Sequence, residues 1–504
     1  MSAARQTGVA VTGSVTDAPP ARRGSAPSGP ADSAFGRLVG EPFAALHGLL
    51  GRPLASYYLL VASAGLLLVI GLVMVFSATS VPSFDSQQSA YAGVQQQGLW
   101  AAVGVLAFWV AQRLPTRTYR FLGLPLMVVC LLFALVLVLF PAGQVGPVGT
   151  NLNWITIGSI QFQPAELGKL ALVWWGADLL VRRGDSVTKW KRLAMPLFPV
   201  TALLFLLVGM NDLGTMLCML LVFLGLLWVT GVRFRVFAGL FGVALAGVVV
   251  LIAEQSYRLE RILSFTHAAK ATGCTSADSI QGPCWQSTQG MYALADGGWF
   301  GLGLGQGRQK WDWLPEAHND FIFAIIGEEL GVVGCVVVLA LFAVLAYAGL
   351  RIARRVDDPF RRTVAAACTL WLAGQAVINI GAVVGLLPIT GVPLPFISAG
   401  GTALVVTLTA IGMLASFART EPDAARALHA RAPSRLVRLL WVPLPPLPGS
   451  TRPTTPPARS RPAGGKPGVR ATRGRTAGSS RTETRRRRPG PRTGSRTTTG
   501  KERR

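Results

Sequence analysis

Apolar runs of about 20 residues recur along this chain from Tyr57 onward, each long enough to cross about 30 Å of hydrocarbon. Few folds satisfy that constraint. A backbone in lipid must meet its own hydrogen-bonding needs, which only helices and closed barrels do. The runs are continuous rather than alternating, so a barrel is excluded. The expectation is an all-α polytopic membrane protein with ten spans: Tyr57–Ala78, Gly98–Gln112, Phe121–Phe140, Ala165–Val181, Leu193–Val208, Leu213–Thr230, Phe234–Ala253, Phe321–Leu350, Thr363–Leu387 and Thr402–Phe417. Composition agrees. The chain is 51% hydrophobic and 14% charged, with mean hydropathy +0.45, whereas soluble domains carry about 25% charged residues.

Basic residues set the expected orientation. Arg113, Arg117 and Arg120 follow the second span; Arg182, Arg183, Lys189, Lys191 and Arg192 the fourth; Arg233 and Arg235 the sixth; Arg351, Arg354, Arg355, Arg361 and Arg362 the eighth. The connections after spans one, three, five and nine carry neither Lys nor Arg. Both termini are therefore expected in the cytoplasm, in a multi-pass protein of the plasma membrane. The long outward loop Glu254 to Asp320 breaks the pattern, as long loops can, and its aromatic and Gly-rich texture predicts short helices packed on the bundle.

Three regions are expected: a polar cytoplasmic segment 1–53, a ten-span domain 54–419, and a basic, Pro-rich tail 420–504. No cleavable signal is evident in the Ala-, Gly-, Pro- and Ser-rich start. Of the net charge of +25, residues 451–504 hold 17 Lys plus Arg against 2 Glu. Such a tail cannot build a core. It fits an anionic lipid surface or an acidic partner, or simply enforces topology. Nucleic acid is not the expected partner of a membrane-tethered chain. Cys130, Cys218, Cys335 and Cys368 lie in apolar runs and read as small core residues. Cys274 and Cys284 share the outward loop, where a disulfide and two free thiols are both open readings.

Polar clusters interrupt the apolar background. In Gln161-Phe-Gln-Pro-Ala-Glu166-Leu-Gly-Lys169, Pro164 suits a first helical turn, and Glu166 and Lys169 share a helix face. In Asn211-Asp212-Leu-Gly-Thr215, Asp212 reads as a helix N-cap or a polar-network residue. The run Gly298 to Lys310 places Gly at alternate positions but matches no nucleotide-binding spacing. It offers bare backbone beside Arg308 and Lys310, suited to a phosphate headgroup. It leads into Glu316, His318 and Asp320 at the mouth of the eighth span, which carries Glu328 and Glu329. Asp320 can cap that span, act in catalysis, or both. Carboxylates within a membrane are functional candidates by default, although a buried structural network is the favoured reading for Glu328 and Glu329. Finally, Pro388, Pro393 and Pro395, with Ser398, Gly400 and Gly401, form an irregular outward lip, tolerated at membrane depth only where it is packed or lines a cavity.

The motifs QPAELGK, NDLGT, GLGLGQGRQKWDWLPEAHNDFIFAIIGEELG and NIGAVVGLLPITGVPLPFISAGG, in this order on ten spans, resemble the SEDS family of FtsW, RodA and SpoVE. The resemblance covers about Leu54 to Arg419, and the actinobacterial division branch is the most similar. It implies polymerisation of lipid II, a disaccharide-pentapeptide on undecaprenyl pyrophosphate, at the division septum. A class B penicillin-binding protein and other divisome proteins would be its partners. The family's essential Asp falls on Asp320. Two positions depart from the family pattern: Asn153 stands where many members have Arg, and Asn211 where Pro is common.

The chemistry implied is attack of a sugar 4-hydroxyl on the anomeric carbon of the growing chain, with pyrophosphate leaving. The hydroxyl requires a base within about 3 Å, and Asp320 is the candidate. Arg308, Lys310 and Lys169 are candidates to hold the pyrophosphate, as is a divalent cation, magnesium or manganese. Glu316, His318, Glu166, Ser398, Gly400 and Gly401 complete the expected substrate site. A lipid II flippase and an elongation-type polymerase are the alternative readings. The outward location of the charged cluster favours an enzyme, since an alternating-access site lies near the midplane.

Overall fold

The computed structural model describes residues 51–87, 91–140, 142–145, 148–151, 153–157, 160–183, 190–232, 234–254, 259, 283–311, 313–430 and 443–447. The chain divides into two units, Met1–Ser450 and Thr451–Arg504, and all described residues belong to the first. The segment 1–50, the tail beyond residue 447 and Cys274 lie outside the described residues. Cys284 is disulfide-bonded, whereas Cys130, Cys218, Cys335 and Cys368 are free.

The helices are α1 (Ala55–Gln87), α2 (Ala92–Ala111), α3 (Thr116–Leu139), α4 (Pro164–Arg182), α5 (Trp190–Asn211), α6 (Leu213–Val229), α7 (Phe234–Ala253), α8 (Pro283–Gly297), α9 (Ile322–Arg355), α10 (Pro359–Val383), α11 (Gly401–Arg419) and α12 (Pro422–Ala430). Each expected span falls on one of these. Within α1, Ala55–Ser80 is long and apolar enough to cross a membrane, as are α3, α9, α10 and α11; α5, α6 and α7 carry shorter apolar stretches. The protein is thus a helical, polytopic membrane protein. Its core is sealed by large side chains such as Trp371, Tyr119, Phe321 and Phe360, where α2 packs on α11, α3 on α4, and α9 on both α1 and α10. Many outward side chains are apolar, Phe121, Val243 and Val377 among them, as a lipid-facing surface requires.

Two features depart from a plain bundle. Between α3 and α4 the chain forms a four-stranded antiparallel meander: β1 (Ala142–Val145), β2 (Val148–Asn151), β3 (Trp154–Ile157) and β4 (Ile160–Phe162), paired in that order. Strands of three or four residues leave too short an alternation to read from sequence. The sheet delivers the chain to Gln163 and to Pro164 at the start of α4. The loop expected to hold short helices packed on the bundle contains α8, which packs on α9.

The second feature is a break inside α9, at Gly331 (φ 68°, ψ −167°). The glycine-rich segment after α8 repairs the ladder there. Leu302 and Gly303 donate their N–H groups to Glu328 O and Glu329 O at 2.9 and 3.0 Å, and Gly298 O and Trp299 O accept from Val332 and Val333 at 3.0 and 3.2 Å. Backbone groups freed by the break would otherwise be buried unpaired, at about 1–3 kcal/mol each. Close approach explains the glycines. A Cβ on Gly331 would lie 2.4 Å from Gly301 N, and one on Gly301 only 2.2 Å from Glu329 O.

Candidate functional site

The glycine-rich segment binds protein rather than open space. Glu328 is fully buried and its Oε1 accepts from Arg308 N at 2.6 Å and Gln309 N at 3.3 Å. Lys310, 4% exposed, donates from Nζ to Glu329 Oε1 (3.1 Å), Ser77 Oγ (3.1 Å) and Gly305 O (2.7 Å). Ser77 on α1 also donates to the Glu329 carboxylate. The backbone cradle proposed for a phosphate thus holds the Glu328 carboxylate, and the Lys310 ammonium is committed to Glu329. Arg308 is exposed. The favoured reading of Glu328 and Glu329, a buried network, matches this geometry.

Next along the chain, Glu316 is exposed with φ 56°, while His318, Asn319 and Asp320 are half-buried. Residue Phe321 occupies the N-cap position of α9. Three consecutive backbone carbonyls before it are each held by a donor from the far end of the sequence. His318 O accepts from Ala399 N at 2.9 Å, Asn319 O from Ser398 Oγ at 2.7 Å, and Asp320 O from Asn379 Nδ2 at 2.8 Å. The lip is therefore bonded to the acidic turn. Asp320 lines a pocket with Phe321, Asn379, Ile389, Thr390 and Val392. Ser398 is buried, and its hydroxyl also accepts from Leu394 N at 2.7 Å, so it builds the lip from within. Gly401 answers to packing, since a Cβ there would meet the Trp100 ring at 2.4 Å. Gly400, before it, has an extended backbone open to any residue.

The pair predicted on α4 forms inside the bundle. Lys169 Nζ lies 2.7 Å from Glu166 Oε1, with both side chains 1% exposed. The same ammonium donates to Gln375 Oε1 at 3.1 Å, which also accepts from Trp371 Nε1 at 2.8 Å. Gln375 Nε2 in turn donates to Pro393 O of the lip at 2.8 Å. One helical turn further along α10, Asn379 Nδ2 donates to Val392 O at 2.7 Å. Thus α10 connects the Lys169 network to the lip and to Asp320. Sequence reading did not single out Gln375 or Asn379. An i, i+4 pair of amides inside an apolar helix was the available signal.

Asp212 takes the capping role. It is the N-cap of α6, accepting from Thr215 N at 2.8 Å and Thr215 Oγ1 at 2.7 Å, and Gln163 Nε2 reaches it at 2.9 Å. Asn153, the departure from the family's Arg, lines a separate pocket with Pro164, Asn211 and Asp212. Among the described residues no three of His, Cys, Asp or Glu come together to hold a metal ion.

A helical bundle crossed by buried ion pairs, with an acidic turn and a proline-rich lip bonded together around a pocket, defines a polytopic membrane protein with its polar site at one end of the spans. A family model described as "Cell cycle protein", covering FtsW, RodA and SpoVE, matches residues 57–422. The chain belongs to this family. A Mycobacterium tuberculosis protein named "Probable peptidoglycan glycosyltransferase FtsW" is 42% identical over 404 residues, covering 79% of this chain and 74% of that protein. The Bacillus subtilis "Stage V sporulation protein E" is 38% identical, covering 72% and 96%. A solved chain from "Structural coordination of polymerization and crosslinking by a peptidoglycan synthase complex" is similar with TM-score 0.55 and 25% identity, covering 72% of this chain and 97% of its own.

Proposed function

We propose that this protein is a peptidoglycan glycosyltransferase that polymerises lipid II for the septal wall during cell division. Family membership and the names of its relatives support the activity. The observation that carries the mechanism is Asp320, half-buried at the rim of a pocket and fixed in its backbone by α10. In the reading offered, the Asp320 carboxylate takes the proton of the sugar 4-hydroxyl as that oxygen attacks the anomeric carbon of the growing chain. The bond to pyrophosphate breaks, and undecaprenyl pyrophosphate leaves with the electron pair. A base held rigidly in hydrogen-bond reach contributes about 10²–10⁴-fold. Arg308, whose side chain is exposed while Lys169 and Lys310 are buried in ion pairs, is the proposed cation for the leaving group.

A flippase reading is less well supported. Within the bundle, Glu166 pairs with Lys169 and Glu329 with Lys310, and Glu328 is held by backbone N–H groups. Each of these carboxylates already has a partner within the bundle, which supports the enzyme reading over a relay. The wider setting is part of the same proposal: both termini in the cytoplasm, the lip on the outer face, and a class B penicillin-binding protein and divisome proteins as partners. Anionic lipid or an acidic partner is the proposed ligand of the basic tail, on its charge alone.

The test is polymerisation of purified lipid II by this protein with its penicillin-binding partner, comparing wild type with Asp320→Asn. Glycan strands from wild type and none from the variant are expected. Equal yield from the two would remove Asp320 from the mechanism.

A further inference from the structure

We infer that Asn379 is a positioning residue for Asp320, an inference that rests on the glycosyltransferase reading above. Asn379 is 2% exposed, in the apolar helix α10. An amide nitrogen has two hydrogens to donate, and Asn379 Nδ2 bonds two carbonyls, Asp320 O at 2.8 Å and Val392 O at 2.7 Å. One side chain of α10 therefore bonds both the acidic turn and the lip that faces it. Its Oδ1 is buried with no hydrogen-bond partner, and the residue lines the same pocket as Asp320. The amide thus borders the cavity in which the base acts and is not sealed in apolar packing.

The neighbouring bonds show what this one adds. His318 O and Asn319 O are held by Ala399 N and Ser398 Oγ, both in the lip itself. Those two contacts fix the turn to the lip, which Gln375 and Gln97 hold in their turn. The turn continues directly into α9, and Asn379 ties it across the bundle to α10. That helix is in turn anchored one turn earlier, through Gln375, to the buried Lys169 and Glu166 pair. Removing Asn379 leaves the lip held to α10 through Gln375 and Pro393, but takes away the direct bond from α10 to the turn. Asp320 keeps its chemistry and loses its fixed place.

Loss of positioning lowers turnover with little change in substrate affinity, since a misplacement near 1 Å costs on the order of a hundred-fold. Initial rates of glycan synthesis against lipid II concentration, with the penicillin-binding partner present, are measured for wild type, Asn379→Ala and Asn379→Asp. Asn379→Asp keeps the size but cannot donate both bonds, so it carries the test if Asn379→Ala does not fold. The expected result is a kcat lowered about a hundred-fold with KM for lipid II nearly unchanged, in a protein that still folds but melts at a lower temperature because two carbonyls lose their donor. Backbone hydrogen exchange supplies a readout independent of activity, and faster exchange is expected in residues 318–322 and 391–398 of either variant. Wild-type kcat, a loss confined to KM, or unchanged exchange in both segments would overturn the inference. Asp320→Asn in the same assay separates the two ideas: if it polymerises as wild type does, the base assignment fails, whatever Asn379 does.

Discussion

Lys310 and Glu329 form an ion pair, Nζ to Oε1 at 3.1 Å, with side chains only 3% and 0% exposed. They sit on opposite sides of the acidic turn, Lys310 before it and Glu329 within α9 beyond it. The pair thus closes the chain around Asp320, and Ser77 of α1 fixes the carboxylate from a third side.

Breaking that pair from one side should be costly. Lys310→Met leaves a buried carboxylate uncompensated, and removal of one partner costs about 3–5 kcal/mol. The double variant Lys310→Met with Glu329→Gln should recover most of the loss. Denaturant or thermal unfolding in detergent checks this; equal destabilisation of single and double variants would show that the two groups are not coupled.

Arg308 and Lys310 are two residues apart but have separate work. Arg308→Ala should raise KM for lipid II at unchanged melting temperature, because its side chain is exposed. Lys310→Ala should lower the melting temperature first. Concentration-dependent rates paired with melting curves distinguish the cases, and a stability loss from Arg308→Ala would contradict the assignment.

Gly331→Ala should destabilise α9 by about 1–3 kcal/mol from its backbone conformation alone. Contact of the new Cβ with Gly301 N adds to that. The outcome is read as a lower melting temperature and faster hydrogen exchange at Val332 and Val333, whose amides depend on the glycine-rich segment.

Asp212 is a cap, so Asp212→Asn should preserve both fold and glycan synthesis, while Asp212→Ala should cost about 0.5–2 kcal/mol. If Asp212→Asn abolishes synthesis in a protein of normal melting temperature, the negative charge has a role beyond capping.

Glu421 gives a pH dependence of definite sign. Burial pushes its carboxyl above the ordinary range, and the nearby Arg355 and Arg351 only partly offset this. The folded state therefore keeps a proton that the unfolded chain releases. Stability is full below the ordinary carboxylate range and falls as pH rises towards the elevated folded value. Glu421→Gln should flatten that fall, as melting temperature measured against pH will show.

The amino-acid sequence alone determined the helical class and the places of the ten apolar segments, because twenty apolar residues in a row have one stable solution in lipid. It also indicated the acidic turn before α9 and the Glu166–Lys169 pairing, since these follow from local spacing, and left Asp212 between a cap and a network residue until the structure made it the cap. Only the tertiary structure decided what the glycines between Gly298 and Gly307 are for: they approach α9 where Gly331 breaks it, and no spacing rule reports a break repaired from another segment. In the same way, Ser398, Gln375 and Asn379 owe their roles to partners far away in the chain, 79 residues for Ser398 and Asn319 and 206 for Lys169 and Gln375. Local periodicity encodes which face of a helix is apolar; it carries no record of which carbonyl a buried amide will meet.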